Sequence, residues 1–215
     1  VSIVWNTLSR KKENVGLMFY TGILIFLFLL LNLVKYNYCL AISFASNPLL
    51  LEYCNCAKEA EVKVIIWFDN QDSSELLREK LPSNNWQWEK AIRYTAEGKK
   101  IISLVGRTRV DRKQELELKK WYFELVGRIK DAGGKVYLDE RIYDSIDIVA
   151  FLSKAGAEPQ QWMLDDNTFS VAALKSNLGN DIYAGKDKVN MQLLTRISNG
   201  NKLAVLALPA LIDEF

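Results

Sequence analysis

Apolar and polar residues are distributed unevenly along the chain. Val15–Val34, VGLMFYTGILIFLFLLLNLV, carries no charged side chain. At about 1.5 Å per residue, a helix of that length covers roughly 30 Å, the hydrocarbon thickness of a bilayer. The pattern predicts a transmembrane helix at 15–34, with a short segment at 1–14 before it. A juxtamembrane connection over 35–60 and a soluble α+β domain over 61–215 follow. A buried core helix is the competing reading of the run, and its uninterrupted apolarity argues against that.

Beyond the run the periodicity changes. Cys39–Ala45 is apolar, Asn47-Pro48 breaks it, and Leu49–Ala60 reads as a short helix. Val62–Phe68, VKVIIWF, is β-branched and nearly all apolar, as a central strand buried on both faces would be. Asp72 caps a predicted helix over Ser73–Leu81, with Glu75 at capping-box spacing and Pro82 as its stop. Trp86–Thr95 alternates, with Trp86, Trp88, Ile92 and Tyr94 on one face and Gln87, Glu89, Arg93 and Thr95 on the other. Glu97-Gly98 turns it into Ile101–Val105, a hairpin.

Arg112–Ala132 has the clearest helical spacing of the soluble part, with Leu118, Trp121, Leu125, Ile129 and Ala132 in one stripe. Glu115–Lys119 and Glu124–Arg128 are i,i+4 pairs along it, and Gly133-Gly134 ends it. Lys135–Leu138 is the next strand. Ser145 caps Ile146–Lys154, Gly156 and Pro159 close that helix, and Asp165–Thr168 opens another toward Leu178. Val189–Ile197 alternates again, and the Ser198–Asn201 turn leads to Leu203–Leu208. Pro209 and the acidic Asp213-Glu214 end the chain. The fold class is therefore α+β: ferredoxin-like βαββαβ order extended by αββ. Equivalently, two βαββ half-units at Val62–Val105 and Lys135–Leu208 share one antiparallel sheet, with helices on one face.

Composition narrows the chemistry. The 215 residues include 28 Lys and Arg against 26 Asp and Glu, a formal charge of +2 that is no argument for nucleic acid as a partner. There is no histidine, which removes Ser-His and Cys-His nucleophiles, an imidazole base and any His-ligated metal. Three cysteines are too few for an all-thiolate zinc site. Cys54 and Cys56 are too close for an easy mutual bridge, so a disulfide would join Cys39 to one of them, and three reduced thiols are the alternative. No cofactor is expected.

Arg10-Lys11-Lys12 precedes the apolar run and the first charge after it is Lys35. The positive-inside rule then sets the N-terminus in the cytoplasm and the domain on the periplasmic side of an inner membrane. Ser43-Phe44-Ala45 resembles a signal-peptidase site but lies too far past too long a run, which favours a retained anchor over a cleaved signal peptide. Val1 in place of Met leaves residues upstream of it open.

The densest basic stretch is Lys99, Lys100, Arg107, Arg109, Arg112 and Lys113. The third strand, Lys100–Val105, lacks a base-stacking aromatic pattern, so a solvated loop and helix start is preferred over RNA recognition. Asp139-Glu140 and Asp165-Asp166 are the best carboxylate candidates for acid–base work or a hard cation. Turn and N-cap roles are their plainer explanation. Trp67, Trp86, Trp88 and Trp121 fall at core-facing positions. Trp162 sits in a polar Pro159-Gln160-Gln161-Trp162 loop, where it would serve as a protein-contact anchor. Trp162, Gln160, Gln161, Arg107 and Arg109 are the candidate partner-binding residues.

The element order resembles that of ferredoxin-like periplasmic domains in bitopic secretion and pilus-assembly proteins, without the long coiled coil those place after the membrane helix. The expectation is a membrane-anchored, non-catalytic protein-binding domain, such as an immunity or inhibitor protein against a periplasmic toxin or enzyme. An accessory or assembly subunit of a larger membrane or secretion complex is the alternative. An enzyme using carboxylate or lysine chemistry comes third.

Overall fold

The computed structural model describes Ile25, Phe26, Phe28, Leu30 and residues 49–54, 57–68, 81–94, 98, 100–176 and 178–212. Two compact units result, Val1–Ala45 and Ser46–Phe215. In the first, Ile25, Phe26, Phe28 and Leu30 are helical with exposed side chains. The rest of Val15–Val34, Cys39, Cys56 and the predicted helix Ser73–Leu81 up to Lys80 lie outside the described residues. Among the described residues no helix is long and apolar enough to cross a membrane.

The second unit opens with a one-turn helix, α1 (Leu50–Tyr53). The strands β1 (Glu59–Phe68), β2 (Gln87–Tyr94) and β3 (Lys100–Asp111) follow, then helix α2 (Arg112–Asp131). After α2 come β4 (Lys135–Ile142), α3 (Ile148–Ala155), β5 (Glu158–Asp165) and β6 (Thr168–Leu174). The short hairpin β7 (Ile182–Ala184) and β8 (Asp187–Val189) precedes β9 (Met191–Ser198) and β10 (Asn201–Leu208). Eight strands form one antiparallel sheet in the order β2-β3-β1-β4-β10-β9-β6-β5, and β7-β8 stands apart. Both β3 and β4 run antiparallel to β1, which lies between them, and α2 carries the chain from one to the other.

Local chemistry sets the ends of these elements. Asp111 and Gln114 form a reciprocal capping box at the start of α2. At its end Gly133 takes the left-handed conformation (φ 73°), and the Gly134 N–H donates to Ile129 O at 2.8 Å. The cap of α3 is Asp147, whose carboxylate accepts from the Ala150 N–H, two residues later than the predicted Ser145. Asp147 does this because its side chain lies one position ahead of the first helical turn.

Alternation assigns the faces. Val62, Val64, Ile66 and Phe68 of β1 are buried under α2, whose Leu118, Tyr122, Leu125 and Ile129 point back at them. Phe151 and Leu152 of α3 join the same apolar layer with Ile142, Leu193 and Ala204. Glu61, Lys63 and Trp67 of β1 face the other way, so Trp67 packs tilted against Tyr137 (ring centroids 5.1 Å apart) on the open face and not in this layer. Trp86, Trp88 and Trp121 cluster with ring centroids 5.2–6.3 Å apart and close one end of the core.

The second half of the sheet departs from the expected repeat. Asp165–Leu178 is no helix: Trp162–Asp165 pairs with Thr168–Val171 across a two-residue turn, with Asp166 at φ 43°. The chain therefore adds the β5-β6 hairpin and a β7-β8 excursion where a helix was expected, so α3 is followed by six strands and the predicted αββ extension is not the observed order. The reason lies in Thr168–Leu174, TFSVAAL, where Val171 and Ala173 bury on one face at period two. Asp139-Glu140 is not a turn either; both lie inside β4.

Gly106 shows how tightly the tryptophan cluster is seated. A Cβ there would lie 2.6 Å from the Trp88 ring, whereas Gly127 on exposed α2 surface has no atom within 4 Å of its added Cβ. Gly106→Ala is expected to lower stability by about 1–3 kcal/mol through overpacking. Gly127→Ala should raise it by about 0.5–1 kcal/mol by removing helix-interior glycine. Urea denaturation of the two variants reads the opposite signs directly.

Candidate functional site

Charged residues line the open face of the sheet where β3, β1 and β4 lie side by side. Cross-strand register places Glu61 between Arg109 and Arg141, and Lys63 between Arg107 and Asp139. With Asn85, Gln87 and Thr108 these side chains line a groove of about 590 Å³. Its arginines are engaged by acids of the same sheet. Arg109 donates to Glu61 at 2.8 Å, and Arg107 donates to Glu89 at 3.1 Å. Arg141 grips both oxygens of Asp139 through Nε at 3.1 Å, with Nη2 at 2.5 Å. The Tyr143 hydroxyl donates to the second oxygen of Glu61 at 3.1 Å. Burial and the neighbouring Arg107 guanidinium push the Lys63 ammonium below its ordinary range, while the Asp139 carboxylate holds Arg141 above its own. The groove is thus laced by internal ion pairs, with four basic side chains against the two acids that line it. Of the remaining basic stretch, Arg112 donates to Cys54 O at 2.9 Å.

Gln160, Gln161 and Trp162 stand at the other end of the sheet. They belong to the edge strand β5, not to a loop, and β1, β4, β10, β9 and β6 separate them from Arg107 and Arg109 on β3. The five candidate partner-binding residues therefore fall in two separate groups. Gln161 has a structural task, donating from Nε2 to Ala184 O (2.7 Å) and Asp187 Oδ2 (2.8 Å) and so holding the β7-β8 hairpin. Gln160 sits at a bulge between Pro159 and Gln161. Trp162 is 75 % exposed, with Leu164 on the same face and Met163 on the other, both more than half exposed. Asp165 and Asp166 form the hairpin end beside them.

Of the carboxylate candidates Glu140 is the one taken into the core, where it meets Glu115, which the sequence places only in an i,i+4 pair. Glu115 and Glu140 are buried, at 1 % and 0 % exposure. The Leu50 N–H donates to Glu140 Oε2 at 2.8 Å, and the Leu51 N–H donates to Glu115 Oε1 at 2.6 Å. Lys119 turns to Glu52 at 2.9 Å, so the i,i+4 pair expected with Glu115 gives way to this contact. Glu124–Arg128 does form, at 4.0 Å. The signal for the buried acids was available: Glu115 continues the Leu118–Tyr122–Leu125–Ile129 stripe, and Glu140 continues Val136–Leu138 at period two. Burial drives both carboxyls above the ordinary carboxylate range, Glu140 the further; the neighbouring Glu115 raises Glu140 again, while the hydrogen bond from Glu140 offsets part of the rise at Glu115.

Cys54 is disulfide-bonded; its candidate partners, Cys39 and Cys56, lie outside the described residues. Among the described residues no three His, Cys, Asp or Glu side chains gather as a metal site.

The groove's two kinds of ion pair make contrasting predictions. Asp139→Asn takes a bidentate, partly buried acceptor from Arg141 and is expected to cost about 1.5–3 kcal/mol. A double-mutant cycle on the exposed Glu61–Arg109 pair should return only about 0.2–1 kcal/mol, and 0.5 M salt should shrink the second while barely moving the first. No protein-family model and no curated protein matches the chain.

Proposed function

We propose that this chain is a membrane-anchored, non-catalytic domain that binds another protein at the periplasmic face of an inner membrane, in the manner of an immunity or inhibitor protein. Val15–Val34 is its anchor and residues 1–14 are cytoplasmic. The first half of the domain is ferredoxin-like. In support of that last point, β3-α2-β4 is a split β-α-β unit with β1 in the gap. In support of the compartment, the bond at Cys54 is chemistry of an oxidising environment.

The observation that carries the partner reading is β5. Natural edge strands are guarded by charge, proline or a bulge. Here Pro159 and the adjacent bulge guard the start and Asp165 guards the end. Gln160–Leu164 between them has no charge, and its outer side has no strand neighbour among the described residues. Trp162 and Leu164 stand beside that free edge, and Phe169 of β6 extends their apolar surface. A partner strand laid antiparallel along β5 gains main-chain hydrogen bonds and a Trp anchor at once.

A photo-crosslinking residue in place of Trp162, in the full chain in its native membranes, should capture one discrete protein. The same residue in place of Lys120, exposed on α2, should not. Trp162→Ala should then weaken that complex by about 2 kcal/mol, roughly thirtyfold. Identical crosslinking from both positions, or none from Trp162, would reject this reading.

A further inference from the structure

Leu49–Cys54 enters the apolar layer between α2 and the sheet with its backbone leading. Leu49, Leu50 and Leu51 are buried, and no side chain of the segment itself caps α1. Its leading N–H groups are met instead by Glu140, ninety residues away, and Glu115, sixty-four away. Among the described residues, these charged or titratable groups stand on the elements packed against the pair. From α1 come Glu52 and Tyr53, and from α2 come Lys119, on Glu52 at 2.9 Å, and Arg112, on Cys54 O at 2.9 Å. Beside Glu140 in the sheet, β1 presents Val62 and β10 presents Leu206, both apolar. The Tyr53 hydroxyl is turned to Asp147 O at 3.4 Å.

One atom is left over. Glu140 Oε1 is buried with no donor facing it. A carboxylate there would be stranded, but a carboxylic acid would not, because it would donate to the Glu115 carboxylate beside it. The arrangement is complete only with one proton held between the two acids.

We propose that Glu115 and Glu140 are a proton-operated latch: sharing one proton they hold Leu49–Tyr53 in the core, and ionised together they release it. The released state hydrates both carboxylates and frees Leu49–Cys54, about 20 Å of chain at 3.3–3.6 Å per residue. Both acids titrate above the ordinary carboxylate range in the closed form, so that form binds more protons than the open one. Its stability is full below the ordinary range and falls as pH rises through the raised closed-state values. The latch lies wholly within the Ser46–Phe215 unit and stands whether or not β5 binds a partner.

The test is chymotrypsin cleavage of the full chain at Leu50, Leu51 and Tyr53 between about pH 6 and about pH 10, normalised to a free peptide of the same segment. Wild type should become at least about tenfold more cleavable toward the alkaline end, while the circular dichroism of the domain stays constant. Glu140→Gln keeps an acceptor for Leu50 and gives Glu115 an amide donor, so it should stay protected throughout. Glu115→Gln removes the second charge and should flatten the response likewise, deciding the matter if Glu140→Gln does not fold. Equal protection of wild type at both ends overturns the latch. So does opening of the glutamine variants over the wild-type range, or loss of the whole domain's dichroism together with the segment.

Discussion

A backbone N–H buried without an acceptor costs as much as a lost hydrogen bond, and a one-turn helix offers no acceptor to its own first donors. In this protein that constraint falls on Leu50 and Leu51, and the acceptors come from opposite sides of the core, Glu115 on α2 and Glu140 on β4. The two contacts set where the chain enters the domain and how α2 sits over β4. They bring Lys119 to Glu52 and Arg112 to Cys54 O as secondary ties. Two facing acids are a costly way to cap a helix. Their cost explains why one proton must stay, and makes this end of the domain sensitive to pH where an apolar contact would not be.

The sheet that carries these acids has two characters. Around β1 it is covered on one side by α2, and its open side is a checkerboard of Glu61, Arg109, Arg141, Lys63, Arg107 and Asp139. Glu61 lies opposite two arginines and Lys63 opposite Asp139, so these neighbours offset one another, while Lys63 and Arg107 face each other with like charge. Beyond β10 the sheet continues as β9, β6 and β5, and α3 is short. Trp162 and Leu164 are left exposed at the free edge. Polar residues dominate the part of the open face that is internally matched, and apolar ones the edge that is not. A contact with another protein is therefore argued from β5 and not from the arginines.

Periodicity identified β1, α2 and β10 through an apolar run or a helical stripe, and β9 through its buried first half, while Ile197 at the far end of β9 is exposed. It failed at Asp165–Leu178, where Asp165-Asp166 imitates a helix cap and also makes a hairpin turn. The preference of Thr168–Leu174 for a strand is realised only beside β9. Asp139 and Glu140 misled for a related reason. Two adjacent acids look like a turn, yet on a strand they point to opposite faces, one to Arg141 and one into the core.

By itself the sequence determined the α+β class, the pairing of apolar faces through β1 and α2, and the exclusion of imidazole chemistry, since composition and period are local properties of the chain. Tertiary structure alone decided which charges ended up dry. Local periodicity puts Glu115 and Glu140 on core-facing positions, but what makes their burial tolerable is decided elsewhere, because the donors arrive from Leu50 and Leu51, far away in the chain. It also separated Trp162 from Arg107 and Arg109. Strand order, which depends on how distant segments pair, placed them at opposite ends of one sheet.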